Sequence, residues 1–172
     1  NALVLVGMAS SGLQIYNANP VFGGRGGTTV PAVFTLGGWL AGGRHWHFGL
    51  MGVYALNLGV WIVLLIQIRH QRLAELGDVS TLGHSQSPPK RRFAAHRLIY
   101  TLMLLVLAFS LITGLAMYKP AQLWWLSGLF GNWQILRVCH FFTIPAMLGL
   151  VVAHGLISWR IGGLRFIRTM FA

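Results

Sequence analysis

The sequence predicts an all-α fold, an integral membrane four-helix bundle, and three observations carry that expectation. Of 172 residues, 55% are hydrophobic and only 9% are charged, far below the roughly 25% charged content of a soluble domain. Four apolar segments stand out, Ala2 to Tyr16, His47 to Ile68, Leu98 to Tyr118 and Val138 to Trp159. Three of them approach the ~20 residues that a helix needs to span hydrocarbon. The third observation is where the cations lie. Arg69, Arg72, Lys90, Arg91, Arg92 and Arg97 fall between the second and third segments, and Arg160, Arg165 and Arg168 follow the fourth. An excess of Lys and Arg marks cytoplasmic segments, so both regions are expected inside. Only Arg25, Arg44, Lys119 and Arg137 remain for the outer side. The formal net charge of +11 therefore reports topology, which sets aside a nucleic-acid-binding role.

The first helix, about residues 1–16, is too short to cross alone. Its apolar run is already under way at Ala2 and the chain opens on Asn1, so this helix is expected to be truncated at its N-terminus. A signal peptide is disfavoured because no basic region precedes the run. The outward loop that follows carries Pro20, Pro31 and Gly23-Gly24-Arg25-Gly26-Gly27. Those glycines predict a turn, and a phosphate-cradling loop would need a Lys-Ser/Thr ending that is missing. The second helix runs inward over about residues 46–68. In the inner loop, residues 69–97, the stretch holding Arg69, His70, Gln71, Arg72, Glu75 and Asp78 reads as a short solvated extension. Val79 to Arg92 reads as a mobile linker from its Ser, Pro and Lys/Arg content. Glu75 and Asp78 are the only acids in the chain, so no carboxylate lies within a span, which argues against a proton or cation transporter. The third helix returns outward over about 98–118 and ends before Pro120. Trp124, Trp125 and Trp133 then suit an interfacial belt. The fourth helix, about 138–159, runs inward with Pro145 expected to kink it. No repeat divides residues 1–172, which read as one transmembrane domain.

Histidines are the ionisable side chains left at membrane depth. His140 and His154 are fourteen residues apart. At about 100° per residue they share one helix face, and at about 1.5 Å per residue they are about 21 Å apart along it. That is most of a ~30 Å hydrocarbon core, so one helix offers a nitrogen ligand near each surface, as two stacked haems require. The alternative is that each ring joins helices by hydrogen bonding. His47 lies at the depth of His140, and these two would clamp an outer haem. His45, two residues away, points elsewhere. His154 needs a partner from the inner start of the first helix, expected upstream of Asn1. His96, among Arg92 and Arg97, reads as a solvated interfacial residue, and His70 and His84 lack apolar context. Arg44 and Arg137 each precede an outer ligand by three residues. They suit anionic haem propionates as well as they suit an ordinary interface. Gly49, Gly52, Gly59, Gly114, Gly149 and Gly155 would permit either close helix packing or room for a macrocycle. Cys139 is alone and no C-x-x-C-H is present, so any haem is held non-covalently. The sequence shows no nucleophile or acid–base pair for bond-making chemistry.

Several runs resemble one family. Ser11-Gly12-Leu13-Gln14-Ile15-Tyr16-Asn17-Ala18, Trp46-His47-Phe48 with Leu56-Asn57, Leu111-Ile112-Thr113-Gly114-Leu115-Ala116-Met117, and Arg137 with His140-Phe141 and His154 are similar to the bacterial di-haem cytochrome b subunits of the Ni-hydrogenase, formate dehydrogenase and thiosulfate reductase type. The likeness covers the four helices and is nearest the thiosulfate-reductase-like branch. It implies a membrane anchor subunit with two haem b that passes electrons between the quinone pool and a catalytic subunit. That subunit would be a molybdopterin oxidoreductase, or a Ni-Fe hydrogenase, at the outer, periplasmic face of the bacterial inner (cytoplasmic) membrane. It also implies a helix-one histidine a few residues before the Asn1-Ala2 pair, the missing partner of His154, and a quinone site beside the inner haem bordered by His154 and Gly155. The inner loop departs from the family's pattern.

Overall fold

The computed structural model describes residues 2–68 and 70–168, and every regular element among them is helical. The expected all-α class holds. The helices are α1 (Ala2–Ala18), α2 (Leu40–Gln67), α3 (Leu76–His84), α4 (Pro88–Tyr118), α5 (Trp124–Gly128) and α6 (Trp133–Arg168). Single 3-10 turns lie at Gly24–Gly26, Ala32–Phe34 and His70–Arg72. Three stretches, all of α2, all of α4 and Trp133–Gly163 of α6, are long and apolar enough to cross a membrane, and α1 is a shorter apolar helix. Burial runs opposite to that of a water-soluble protein. The largest fully buried side chains are Leu136, Thr113, Asp78, Ser11 and Ser158, whereas Leu56, Ile66, Leu105, Leu148 and Leu156 face outward. Polar groups inside and many large apolar side chains outside are what hydrocarbon as solvent selects.

The chain forms two units. The first joins Asn1–Ile62 with Thr113–Phe141. Its outer loop is tied down at several points. Asn17 donates its amide to the Val30 carbonyl at 2.8 Å and accepts the Val30 N–H at 2.7 Å. Tyr16 donates its hydroxyl to Thr28 at 3.0 Å, and the Leu36 N–H reaches the Ser10 carbonyl at 3.1 Å. The glycine cluster is the expected turn. Gly23 and Gly24 take φ of 83° and 57°, and a Cβ at Gly27 would lie 2.0 Å from the Phe22 carbonyl oxygen, so side chains are excluded there. The helices begin earlier than hydropathy suggests. α2 starts at Leu40, and Asn132 caps α6 by accepting the Ile135 N–H at 2.9 Å. Backbone hydrogen bonding continues through polar turns that an apolar run does not include.

The second unit joins Val63–Ile112 with Phe142–Ala172. Here the inner loop differs from expectation. Instead of a mobile linker, residues 79–92 complete α3 and begin α4. Pro88 and Pro89 occupy the first turn of α4, where a missing N–H breaks no helical bond. Asp78, expected in solvent, is 1% exposed. Its Oδ2 accepts the Glu75 N–H at 2.9 Å, and its Oδ1 receives a short hydrogen bond from Arg97. α6 keeps helical dihedrals through Pro145 and is interrupted instead at Gly162 (φ −149°, ψ 15°) and Gly163 (φ 57°, ψ −151°). Arg92 donates to the Arg160 carbonyl at 3.0 Å just before that interruption.

Candidate functional site

In the first unit, His47 of α2 and His140 of α6 face each other with ring centroids 6.3 Å apart and planes at 86°. Two imidazoles sharing one iron need on the order of 6 Å, from two metal–nitrogen bonds of about 2 Å plus about 1 Å from each nitrogen to its ring centre. The observed separation meets that requirement. Each ring is also held through Nδ1. His47 Nδ1 lies 3.1 Å from the Met8 carbonyl and 3.1 Å from Ser11 Oγ. The Ser11 hydroxyl itself donates to the Gly7 carbonyl at 2.7 Å. A carbonyl only accepts, so this network assigns the proton to Nδ1 and leaves Nε2 with its lone pair, the form that binds a metal. His140 Nδ1 lies 2.8 Å from Thr113 Oγ1, a hydroxyl able to play the same orienting part. Helix joining and ligation, posed as alternatives by the sequence, are thus compatible, because the contacts that join the helices run through Nδ1.

Ser11 and Thr113 were not identified by sequence reasoning as site residues, although both lie in the runs that carry the family resemblance. The available signal was a hydroxyl inside an apolar helix beside glycine. Outer-shell partners of a metal ligand typically contribute 10–100-fold in affinity. Should His47 and His140 ligate a haem, Ser11→Ala is expected to weaken its retention by about tenfold, with the Met8 carbonyl still holding the ring. Thr113→Val is expected to weaken it at least as much. Haem remaining after a detergent wash, measured per mole of protein, checks both.

The second unit holds His154 on α6 with His96 and Tyr100 of α4. The His96 and His154 ring centroids are 4.4 Å apart with planes at 35°, and the Tyr100 ring centroid is 6.1 Å from that of His154. This corrects the expectation that His96 is a solvated rim residue. At 4.4 Å the imidazoles stack on one another and do not leave room for an iron between them. His154 Nδ1 is buried and has no hydrogen-bond partner. A buried polar nitrogen in that state costs energy, so the ring has unused binding capacity. Ser158 hydrogen-bonds the His154 carbonyl at 2.7 Å, fixing the helix turn below the ring.

The remaining candidates separate. Arg44 is exposed on α2, one turn before His47. Arg137 donates Nη1 to Gln134 at 3.0 Å and Nη2 to the Asn19 carbonyl at 2.6 Å, which ties the outer loop to the first turns of α6. Tyr16 stacks on Phe141 at 4.8 Å, and Phe22 meets the same ring edge-on at 6.1 Å. Of the six glycines singled out in the spans, Gly114 meets a histidine, where a Cβ would lie 3.2 Å from Cε1 of His140. Gly49, Gly52, Gly59, Gly149 and Gly155 have nothing within 4 Å of a Cβ, so they do not bring helices into close contact. No group of three or more His, Cys, Asp or Glu suited to a bare metal ion occurs among the described residues.

The profile of the family described as prokaryotic cytochrome b561 matches residues 1–171. A curated relative from Azospira oryzae, described as "Putative protein-methionine-sulfoxide reductase subunit YedZ1", is 29% identical, with 88% of this chain and 80% of the relative aligned. No solved structure matches the chain.

Proposed function

The chain belongs to the prokaryotic cytochrome b561 family of membrane electron-transfer subunits, and on that premise we propose that it is a di-haem membrane anchor working between quinone and a catalytic redox subunit. His47 and His140 hold the outer haem. His154 holds the inner one. Haem b, when bound, supplies a one-electron Fe(III)/Fe(II) couple. The observation that carries this reading is the 6.3 Å separation of the His47 and His140 rings, with the His47 proton fixed on Nδ1 by the Met8 carbonyl.

The chain's own residues orient and exclude. Ser11, Met8 and Thr113 keep the outer rings in register, and Gly114 leaves space beside His140. Arg44 and Arg137 lie one turn before the outer ligands and are proposed to meet the propionates, Arg137 while bound to Gln134 and Asn19. His154 and Gly155 border the quinone. The cation distribution supports a topology in a bacterial inner membrane with the inner loop and the C-terminus on the cytoplasmic side. The relative's name describes a subunit of a methionine-sulfoxide reductase, which favours a molybdopterin oxidoreductase as the outer partner over a Ni-Fe hydrogenase.

The haem-loaded full chain in proteoliposomes, mixed rapidly with a reduced short-chain menaquinone or ubiquinone, tests the proposal. Both haems should become reduced, and His154→Ala should remove reduction by quinol while dithionite still reduces the outer haem. Haems that dithionite reduces but quinol leaves oxidised would reject the quinone step.

A further inference from the structure

The only two acids of the chain converge on one arginine. Arg97 Nη1 reaches Glu75 at 2.9 Å, and Nη2 reaches Asp78. One helical turn further along α4, Thr101 Oγ1 accepts the Ala74 N–H at 2.8 Å. Arg97 and Thr101 therefore form a stripe on α4 that grips residues 74–78 of the inner loop. His96 and Tyr100 form a second stripe, each one residue earlier and so about 100° round the helix. That second stripe lies against the His154 ring.

The two stripes belong to one rigid helix, so the grip on the first fixes the rotation of the second. We infer that Asp78, Arg97 and Thr101 are positioning residues that set how His96 and Tyr100 pack on the inner histidine, His154. The pairing that does this is buried where it matters. The Asp78 side chain is 2% exposed against 66% for Glu75, and removing a buried partner costs far more than removing an exposed one. The sequence supplies no second acid to substitute for Asp78 inside, because Glu75 already occupies the other arm of the guanidinium. A ligand ring is held by what surrounds it, and those neighbours tune the metal it binds. The segment 74–78 thus becomes part of the inner redox site through the helix it grips, with His96 and Tyr100 as the residues that pack on His154.

This inference rests on the proposed ligation of the inner haem by His154, and its test separates the two. In the haem-loaded full chain, low-spin electron paramagnetic resonance follows the orientation of the axial rings. Asp78→Asn and Thr101→Val should each shift the signal of the haem that His154→Ala abolishes, while leaving the haem that His140→Ala abolishes unshifted. Poised at one potential, the reduced-to-oxidised ratio of the inner haem should change about threefold or more. Arg97→Lys, which keeps the charge and loses the two-armed fork, should shift the signal in the same way. No shift in any variant, equal shifts in both haems, or a shift with Asp78→Asn alone would overturn positioning, the last because it would mark a pure charge effect. In haem-depleted protein, amide exchange over residues 74–84 should accelerate at least tenfold in Asp78→Asn, and unchanged exchange would overturn the clasp itself. A wild-type chain without an inner-haem signal would sink the functional reading and the haem half of this inference, while the exchange measurement still judges the clasp.

Discussion

Replacing His140 by alanine is expected to halve the haem b content of the protein, from two per chain to one. His140 contributes one of the two rings that stand 6.3 Å apart in the first unit, and an iron left with His47 alone loses half of its axial ligation. Thr113 would at the same time lose the ring it meets at 2.8 Å. The second unit contributes His154 separately, so the inner haem should persist with an unchanged spectrum. His45→Ala serves as the control, since His45 packs edge-on to Trp46 and should leave both haems in place. Haem per protein, measured after conversion to the pyridine complex, reads the result. Two haems retained in His140→Ala, or both lost with the helices still folded, would remove His140 from the outer site.

Gly114→Leu is expected to empty the outer haem site by tenfold or more while α4 stays helical. A Cβ added at Gly114 would lie 3.2 Å from Cε1 of His140, and leucine carries three further carbons beyond it. Overpacking of this kind costs about 1–3 kcal/mol in an ordinary core, and here the group displaced is the proposed ligand. Leucine also has a better helix propensity than glycine, so loss of haem could not be blamed on a weakened helix. Gly49→Ala, where nothing lies within 4 Å of the added carbon, should be close to neutral. Equal haem retention in Gly114→Leu and Gly49→Ala would contradict a crowded His140 pocket.

The apolar runs were legible because hydrocarbon length and residue hydropathy act locally, and they correspond to α1, α2, α4 and α6. Their ends were less legible, since Leu40 and Pro88 begin helices in stretches whose composition reads as loop. The inner loop departs from its expected mobility for a related reason. Serines and prolines there suggested mobility, while the pairing of Asp78 with Arg97 across nineteen positions is a tertiary event with no local signature. His47 and His140 could be matched by depth alone. Ser11 and Thr113 could not be assigned, because which hydroxyl meets which ring depends on helix rotation. His96 shows the same limit most directly. Its neighbour Arg97 belongs to the inner loop's ion pairs, yet a step of one residue turns the next side chain about 100°, enough to lay His96 on His154.

The account stands on imidazoles at two sites binding iron porphyrin. Its most direct test is the reduced-minus-oxidised spectrum of the purified full-length protein together with its iron content. The prediction is a b-type α band with two haems per chain; a folded, full-length protein with no such band and no stoichiometric iron would contradict it.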